Sequence, residues 1–509
     1  MARESQFNPL SEFKPVFSRL PATTAYSRAG GLLLFAVLLC LPPTAARAAD
    51  IEVPMLGDAS SAVISPQEEY ELGQQVLKAY RSQMPTSSDP VIYSYLEQLI
   101  TELTAHSELE PKTFDLIVIK TPQMNAFAAP GRVIGVNTGI FLTAESEDQL
   151  ASVLAHELAH LSQRHLARQM IAQKNATLPT LAGILAGIAL LAAGGGDAGM
   201  AAITATQGLA LDSRLRYNRS FEQEADRVGL QTMVAAGRDP EAVGDMFEVM
   251  MRQQRYTRKP PEFLSTHPLS ESRIADTRSR AMQYPKREYD DNLDYHLIAA
   301  RAKLLHATTP QEAVKRFRSE LQGTSLSRQA SRYGLALALT KTGQTEEAHQ
   351  TLAPLLEAQP DKLIFQLAKA AIHAQEKDYQ SALNRLNKLL KQYPENLAVN
   401  IQFAETLMEA GEYEYGQELL ERYVRLQPEH DYAWYLLAEV HGLVGDILGV
   451  HRARAEYFIL TGVYDRAERQ LRNALQLTDD NANLTALLEQ RLIDVQGMRR
   501  EAEEFAKRF

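Results

Sequence analysis

Residues 150–165 read LASVLAHELAHLSQRH. The stretch holds neither Pro nor Gly, and its apolar residues recur with the helical period, so a helix is expected over Glu147 to Gln169. Residues four apart on a helix stand one turn above each other on the same face. His156 and His160 can therefore offer two imidazoles to one point. Imidazole is a borderline ligand that suits zinc, and a catalytic zinc keeps one position open. Glu157 lies about 100° around the helix from His156, beside the metal rather than on it. There it can take a proton from a metal-bound water, whose pKa falls to about 7.

The five-residue pattern HELAH needs context, and a third ligand supplies it. Ser220-Phe221-Glu222-Gln223-Glu224-Ala225-Asp226 opens a second helix that continues as DRVGLQTMVAAG. Glu222 and Asp226 share a face, so Glu222 can complete a His₂Glu site for one Zn²⁺ per chain. Asp226 can hold the far nitrogen of a ligating histidine, His156 by preference, fixing its tautomer. Glu224 points away from that face. It reads as a solvated or salt-bridged charge, with a ligand role as the alternative. His165, five residues past His160, leaves the metal-facing stripe and reads as structural or solvent-facing.

Two further segments stay open. Ser265-Thr266-His267-Pro268, with Arg273 beyond it, carries a histidine that can donate to a tetrahedral oxyanion, fill the open zinc position, or be an ordinary satisfied histidine. Arg132 to Asn137 (RVIGVN) follows the turn Pro130-Gly131 and reads as a strand. It is expected as an exposed edge near the metal to which extended substrate can pair, or as a core strand. Phe114 to Lys120 (FDLIVIK) is a second strand, and Gln67 to Tyr80 and Val91 to His106 are helices.

HELAH, EQEAD some 60 residues on, and the preceding Asn125-Ala126-Phe127-Ala128-Ala129-Pro130-Gly131 together resemble the M48 peptidase family. The resemblance implies a gluzincin α+β zinc metallopeptidase domain with a small β element. It also implies His156, His160 and Glu222 as ligands and Glu157 as base, with Asp226 and His267 as further catalytic residues. Export, the absence of flanking membrane spans and a C-terminal repeat array narrow the likeness to a branch concerned with outer-membrane quality control. The implied partners are unfolded or stalled outer-membrane β-barrel proteins and, through the repeats, the outer-membrane assembly machinery. None of this biology follows from residue spacing.

The C-terminal part repeats. Pro360, Pro394 and Pro428 are 34 residues apart, as are Ala348, Ala382 and Gly416, and Gly343 is matched at Gly411 after two such steps. That is the tetratricopeptide period, two antiparallel helices per repeat with small residues where they touch. Asp294 to Leu321 reads as a degenerate first repeat containing Ala313. After Pro428 the next echo comes at Leu477-Thr478-Asp479, one and a half repeats on, so one extra helix is expected there. The array is expected to bind protein or peptide, or only to brace the preceding domain.

The chain has 509 residues, of which 45% are apolar and 23% charged, so disorder does not dominate. A net charge of −10 disfavours nucleic acid as a partner. Arg28, the apolar run Leu32 to Leu41 and Ala46-Arg47-Ala48 have the parts of a cleaved secretory signal over residues 1–48, with a short uncut anchor as the alternative. Cleavage removes the single cysteine, Cys40, and suits the periplasm. The expected organisation is signal peptide 1–48, metallopeptidase domain 49–285 and an all-α tetratricopeptide domain 286–509, a mostly α chain. Leu178 to Ala193 (LPTLAGILAGIALLAA) is read as a core hairpin, a peripheral membrane contact or a span. The main reading is a zinc endopeptidase. The rivals are a chaperone or docking protein acting through its repeats, and an enzyme trimming one dedicated propeptide.

Overall fold

The computed structural model describes residues 64–173, 219–256, 262–478 and 481–508. The expected signal peptide and Leu178 to Ala193 lie outside the described residues. No helix among the described residues is long and apolar enough to cross a membrane.

Helices α1 (Pro66–Gln83) and α2 (Pro90–His106) come first. Each has Pro at its first position, where no N–H is needed, behind a capping side chain: Ser65 in a capping box with Glu68, and Asp89 accepting from Val91 and Ile92. Strands β1 (Asp115–Ile119), β2 (Ala126–Ala129) and β3 (Val133–Asn137) follow. The sheet order is β1-β3-β2, with β1 parallel and β2 antiparallel to β3.

The expected edge strand is therefore in the middle. All five residues of β3 are buried and paired with β1, and Val133 to Val136 are paired with β2 as well. Val133, Ile134 and Val136 are what a strand covered on both faces needs, and such a run says nothing about its edges. The edges are β1 and β2; it is β2 whose Ala128 amide meets Glu157, and among the described residues no strand pairs with its outer side. Arg132 is not in the strand; it ends a short turn at φ 68°.

Helix α3 (Glu147–Ser162) carries the histidine pair. Ser146 caps it, Glu147 and Asp148 sit in its first turn, and every residue from Gln149 to His160 is buried. A helix buried all round is held by its packing, and Leu150, Leu154 and Leu158, fully buried, each contribute about 1.5–3 kcal/mol. The expected single helix to Gln169 breaks instead. Arg164 takes φ 49°, and its guanidinium reaches Glu69 (3.0 Å) and the Ile64 carbonyl (3.0 Å). A tertiary anchor outweighs local propensity there. The chain resumes as α4 (His165–Gln173).

Helices α5 (Arg219–Ala235), α6 (Glu241–Tyr256), α7 (Glu262–Thr266) and α8 (Glu271–Ala281) complete this part. α5 crosses α3 closely at Gly229, where a Cβ would lie 3.1 Å from the His156 backbone nitrogen.

The repeat arm pairs α9 (Leu293–Leu305) with α10 (Pro310–Gln322), α11 (Arg328–Lys341) with α12 (Thr345–Ala358), α13 (Leu363–Gln375) with α14 (Tyr379–Gln392), and α15 (Leu397–Ala410) with α16 (Tyr413–Leu426). Ala313, Ala348, Ala382 and Gly416 are all buried at the helix crossings. Three helices, α17 (Asp431–Val444), α18 (Ile447–Leu460) and α19 (Tyr464–Leu475), fill the one and a half repeats after Pro428. The last helix is α20 (Ala482–Arg508).

The core does not stop at residue 285. One apolar cluster runs from Ile92 and Phe141 through Tyr295 and Leu297 to Phe365. Glu147 accepts from Tyr95 (2.7 Å), Asn292 (2.8 Å) and Arg238 (2.9 Å), joining α2, the approach to α9 and α3. Arg301 of α9 grips the α2 cap Asp89 at 2.8 Å and donates to Tyr333 of α11 at 2.9 Å. At the far end Lys78 of α1 lies over the Tyr464 ring. The arm thus holds the preceding part at both ends. Arg301→Ala leaves Asp89 without its charged partner and should cost about 2–4 kcal/mol, read as a lower denaturant midpoint. Tyr333→Phe, which removes one neutral partner, should cost about 1 kcal/mol.

Candidate metal centre

His156, His160, Glu222 and His267 are buried and bring their ligand atoms within 4.8 Å of one another. Hydrogen bonds on the outer nitrogens decide what the inner ones can do. His156 Nδ1 lies 3.1 Å from Asp226 Oδ1, and a carboxylate only accepts, so Nδ1 carries the proton and Nε2 a lone pair. His160 Nδ1 lies 2.8 Å from His165 Nδ1, and His165 Nε2 is 3.3 Å from Glu224 Oε2. With Glu224 accepting from His165, His165 accepts from His160, and His160 Nε2 also carries a lone pair.

These two lone pairs face each other at 3.0 Å. Glu222 adds carboxylate oxygens 3.5 Å from each. Three electron-rich atoms converging out of water repel one another unless a positive charge lies between them, a proton on His156 Nε2 or a metal ion in its place. Tetrahedral zinc with ligands at about 2.0–2.2 Å separates its donors by roughly 3.3–3.6 Å. The donor set fits a zinc ion held by His156, His160 and Glu222.

Glu157 is fully buried. Its Oε2 accepts from the Ala128 N–H at 2.8 Å, while Oε1 has no hydrogen-bond partner. The Ala128 amide belongs to edge strand β2, so the acid is fixed to the strand beside the site. Burial pushes the Glu157 carboxyl up, although His267 and His156 pull the other way. His267 follows α7, where Pro268 stops the helix. Its ring stacks on Phe263 at 4.6 Å. Its Nδ1 lies 3.1 Å from Glu222 and 3.4 Å from His156 Nε2, and its Nε2 lies 3.4 Å from Glu157 Oε1.

Sequence reasoning gave Arg273 no role. It is 2% exposed and clamps Asp226 with two bonds of 2.7 Å, reaches Glu222 at 2.8 Å and donates to the Pro268 carbonyl at 2.9 Å. A basic residue on a helix after His-Pro, facing two acids one turn apart, is the only signal that could have found it. His165 was read as structural or solvent-facing. It is wholly buried, stacked on Phe221, and orients His160. The break at Arg164, invisible in the helical pattern, swings it there. Glu224 is a salt-bridged charge, tied to Arg168 at 3.0 Å as well as to His165.

Residues 92–281 match the model of peptidase family M48, and residues 373–440 match a tetratricopeptide repeat. A Vibrio cholerae protein is 34% identical over 442 residues, covering 86% of this chain and 91% of its own. The beta-barrel assembly-enhancing protease of Escherichia coli (strain K12) is 31% identical, covering 85% of this chain and 88% of its own. The mitochondrial metalloendopeptidase OMA1 of Schizosaccharomyces pombe is 32% identical over 44% of this chain and 59% of its own.

Arg273→Ala should strand two buried carboxylates and lower zinc affinity about 10–100-fold in a chelator competition. Arg273→Lys should restore only part of this, since an ammonium cannot clamp Asp226 with two fixed bonds. Zinc binding should also depend on pH. In the metal-free protein burial opposes the His156 imidazolium, but Asp226 and Glu222 outweigh it and raise its pKa from 6.5 to about 9. This proton stabilises the metal-free fold below pH 6.5, and the contribution is lost as pH rises through about 9. A zinc ion must displace the same proton, so zinc affinity should climb with pH to about 9 and then level off.

Proposed function

The chain belongs to peptidase family M48, and on that premise we propose a zinc endopeptidase of the periplasm that hydrolyses misfolded or stalled outer-membrane β-barrel proteins and assists the assembly of others. That it is a metallopeptidase follows from the family. The observation that carries the mechanism is the convergence of the His156 and His160 Nε2 lone pairs on Glu222, next to the unbonded Oε1 of buried Glu157.

Zinc bound by His156, His160 and Glu222 would polarise the scissile carbonyl and bring the pKa of a water to about 7. Glu157 takes that water's proton at Oε1 and returns it to the leaving amine, while its bond to Ala128 keeps the other oxygen fixed. Asp226 and Arg273 hold the His156 tautomer, and His165 holds that of His160. The outer side of β2 receives substrate as an added strand, so main-chain bonds give affinity with little demand on side chains. Extended segments that have failed to close a barrel suit such an edge. The repeat arm, with a cleft of about 900 Å³ between α2 and the helices around Lys362 and His430, is the surface for the assembly machinery. We take 1–48 as the signal, 49–285 as the catalytic domain and 286–509 as the repeat domain, joined through a shared core.

His267 decides how active the resting chain is. Its Nδ1 joins the donor set where a water needs to enter. Of the roles open to it, this geometry favours occlusion over oxyanion donation. The same closure supports the second reading, in which the chain acts chiefly by docking through its repeats and cleaves only when His267 is displaced.

Glu157→Gln should retain zinc and lose about 10²–10⁴-fold in cleavage of an unfolded outer-membrane protein. Cleavage at the wild-type rate would remove Glu157 from the chemistry. His267→Ala should raise basal cleavage, whereas a fall of similar size to that of Glu157→Gln would make His267 an oxyanion donor. Full rescue of the envelope defects of a null strain by Glu157→Gln would favour the docking reading.

A further inference from the structure

Apart from the catalytic cluster, one other group of metal-competent side chains comes together among the described residues: His349, His373 and Glu376, within the repeat arm. His349 lies near the start of α12, His373 in the last turn of α13, and Glu376 just beyond it. The two rings stand 5.1 Å apart. His349 Nε2 is 3.0 Å from the Glu376 carboxylate. His373 Nδ1 is 3.7 Å from Glu376 and 3.3 Å from Asp378, the cap of α14. That Nδ1 is buried and has no hydrogen-bond partner.

The internal repeat gives the register of these residues. One repeat before and after His373 stand Leu339 and Leu407, both buried. One repeat after His349 stands Leu383. At His373 an imidazole thus replaces a buried leucine, as His441 does beside Asp446 two steps on, whereas the His349 position is taken by Lys315, Leu383 and Gln417 elsewhere; burying a polar ring is unfavourable unless it has partners. The turn between the helices departs too. At the 34-residue step Gly343, Gly411 and Gly445 supply positive φ, but the equivalent residue here is Lys377 at φ 62°. Its two neighbours are the carboxylates Glu376 and Asp378. Two imidazoles and two carboxylates from α12 and the α13–α14 turn therefore share one place, a nitrogen and oxygen donor set suited to a divalent transition metal.

We propose that His349, His373 and Glu376, completed by Asp378, bind a divalent transition-metal ion that staples one tetratricopeptide repeat to the next. Lys369 is the competitor. Its Nζ lies 2.6 Å from His349 Nδ1, which accepts from it, so in this state Nε2 carries the proton and donates to Glu376. Metal binding moves that proton to Nδ1 and turns Lys369 away. The arm is then under two alternatives, a lysine-held open pair and a metal-held clip.

Zinc is the probe, added to the purified full-length chain, with bound metal counted after removal of excess. Wild type should hold one more zinc per chain than His373→Ala, and His349→Gln should lose the same ion. Lys369→Met should bind this ion about tenfold more tightly, because a like charge no longer opposes it. The difference between wild type and variants does not depend on what the His156 cluster binds. Cleavage of an unfolded substrate and the metal-free melting temperature should match wild type in all three, showing that they fold. Equal zinc counts in wild type and His373→Ala, or no gain with Lys369→Met, would overturn the proposal.

Discussion

Two protons, one on Nδ1 of His156 and one on Nδ1 of His160, set the chemistry of this chain. Asp226 holds the first at 3.1 Å and His165 the second at 2.8 Å. With both outer protons fixed, both Nε2 atoms point inward, and the 3.0 Å gap between them calls for positive charge: the second proton of a His156 imidazolium when no metal is bound, or a metal ion that displaces it. The opposite tautomer at either ring would turn the pair into a donor and an acceptor bonded to each other, with nothing left for a metal. The outer hydrogen bonds are thus as necessary to this donor set as the inward-facing atoms themselves.

The rest of the molecule keeps those bonds in place. α3 is buried around its circumference, so the histidine pair rides on a rigid rod. Gly229 lets α5 come close enough for Glu222 and Asp226 to reach it. Arg273 then neutralises two acids that burial would otherwise leave costly. The N-terminus of the rod is fixed by Tyr95, Asn292 and Arg238 on Glu147, and one of these, Asn292, leads directly into the repeat arm. Any shift of the arm acts on the same residues that seat the helix carrying the histidine pair.

Much of this was legible in the sequence because helix geometry is local. The four-residue spacings of His156 with His160 and of Glu222 with Asp226 place each pair on a face without knowledge of the fold, and the 34-residue step reveals the repeats. What could not be read depended on contacts distant in sequence. β3 looks like an edge or a centre equally well from RVIGVN; only its pairing with β2 shows that the edge lies one strand earlier. The break at Arg164 comes from Glu69 and Ile64, a hundred positions away. Arg273 had no periodic signal, because its meaning lies in two acids on another helix. Gly343 was matched only at twice the period because Lys377 stands between, at the same positive φ.

The most direct measurement is the position of zinc in crystals of the zinc-loaded chain, found from anomalous scattering at the zinc edge. The account predicts a peak about 2.0–2.2 Å from His156 Nε2, His160 Nε2 and a Glu222 oxygen, with Asp226 still on His156 Nδ1. A zinc ion at this cluster bound through Nδ1 of either histidine, or lacking Glu222, would contradict it.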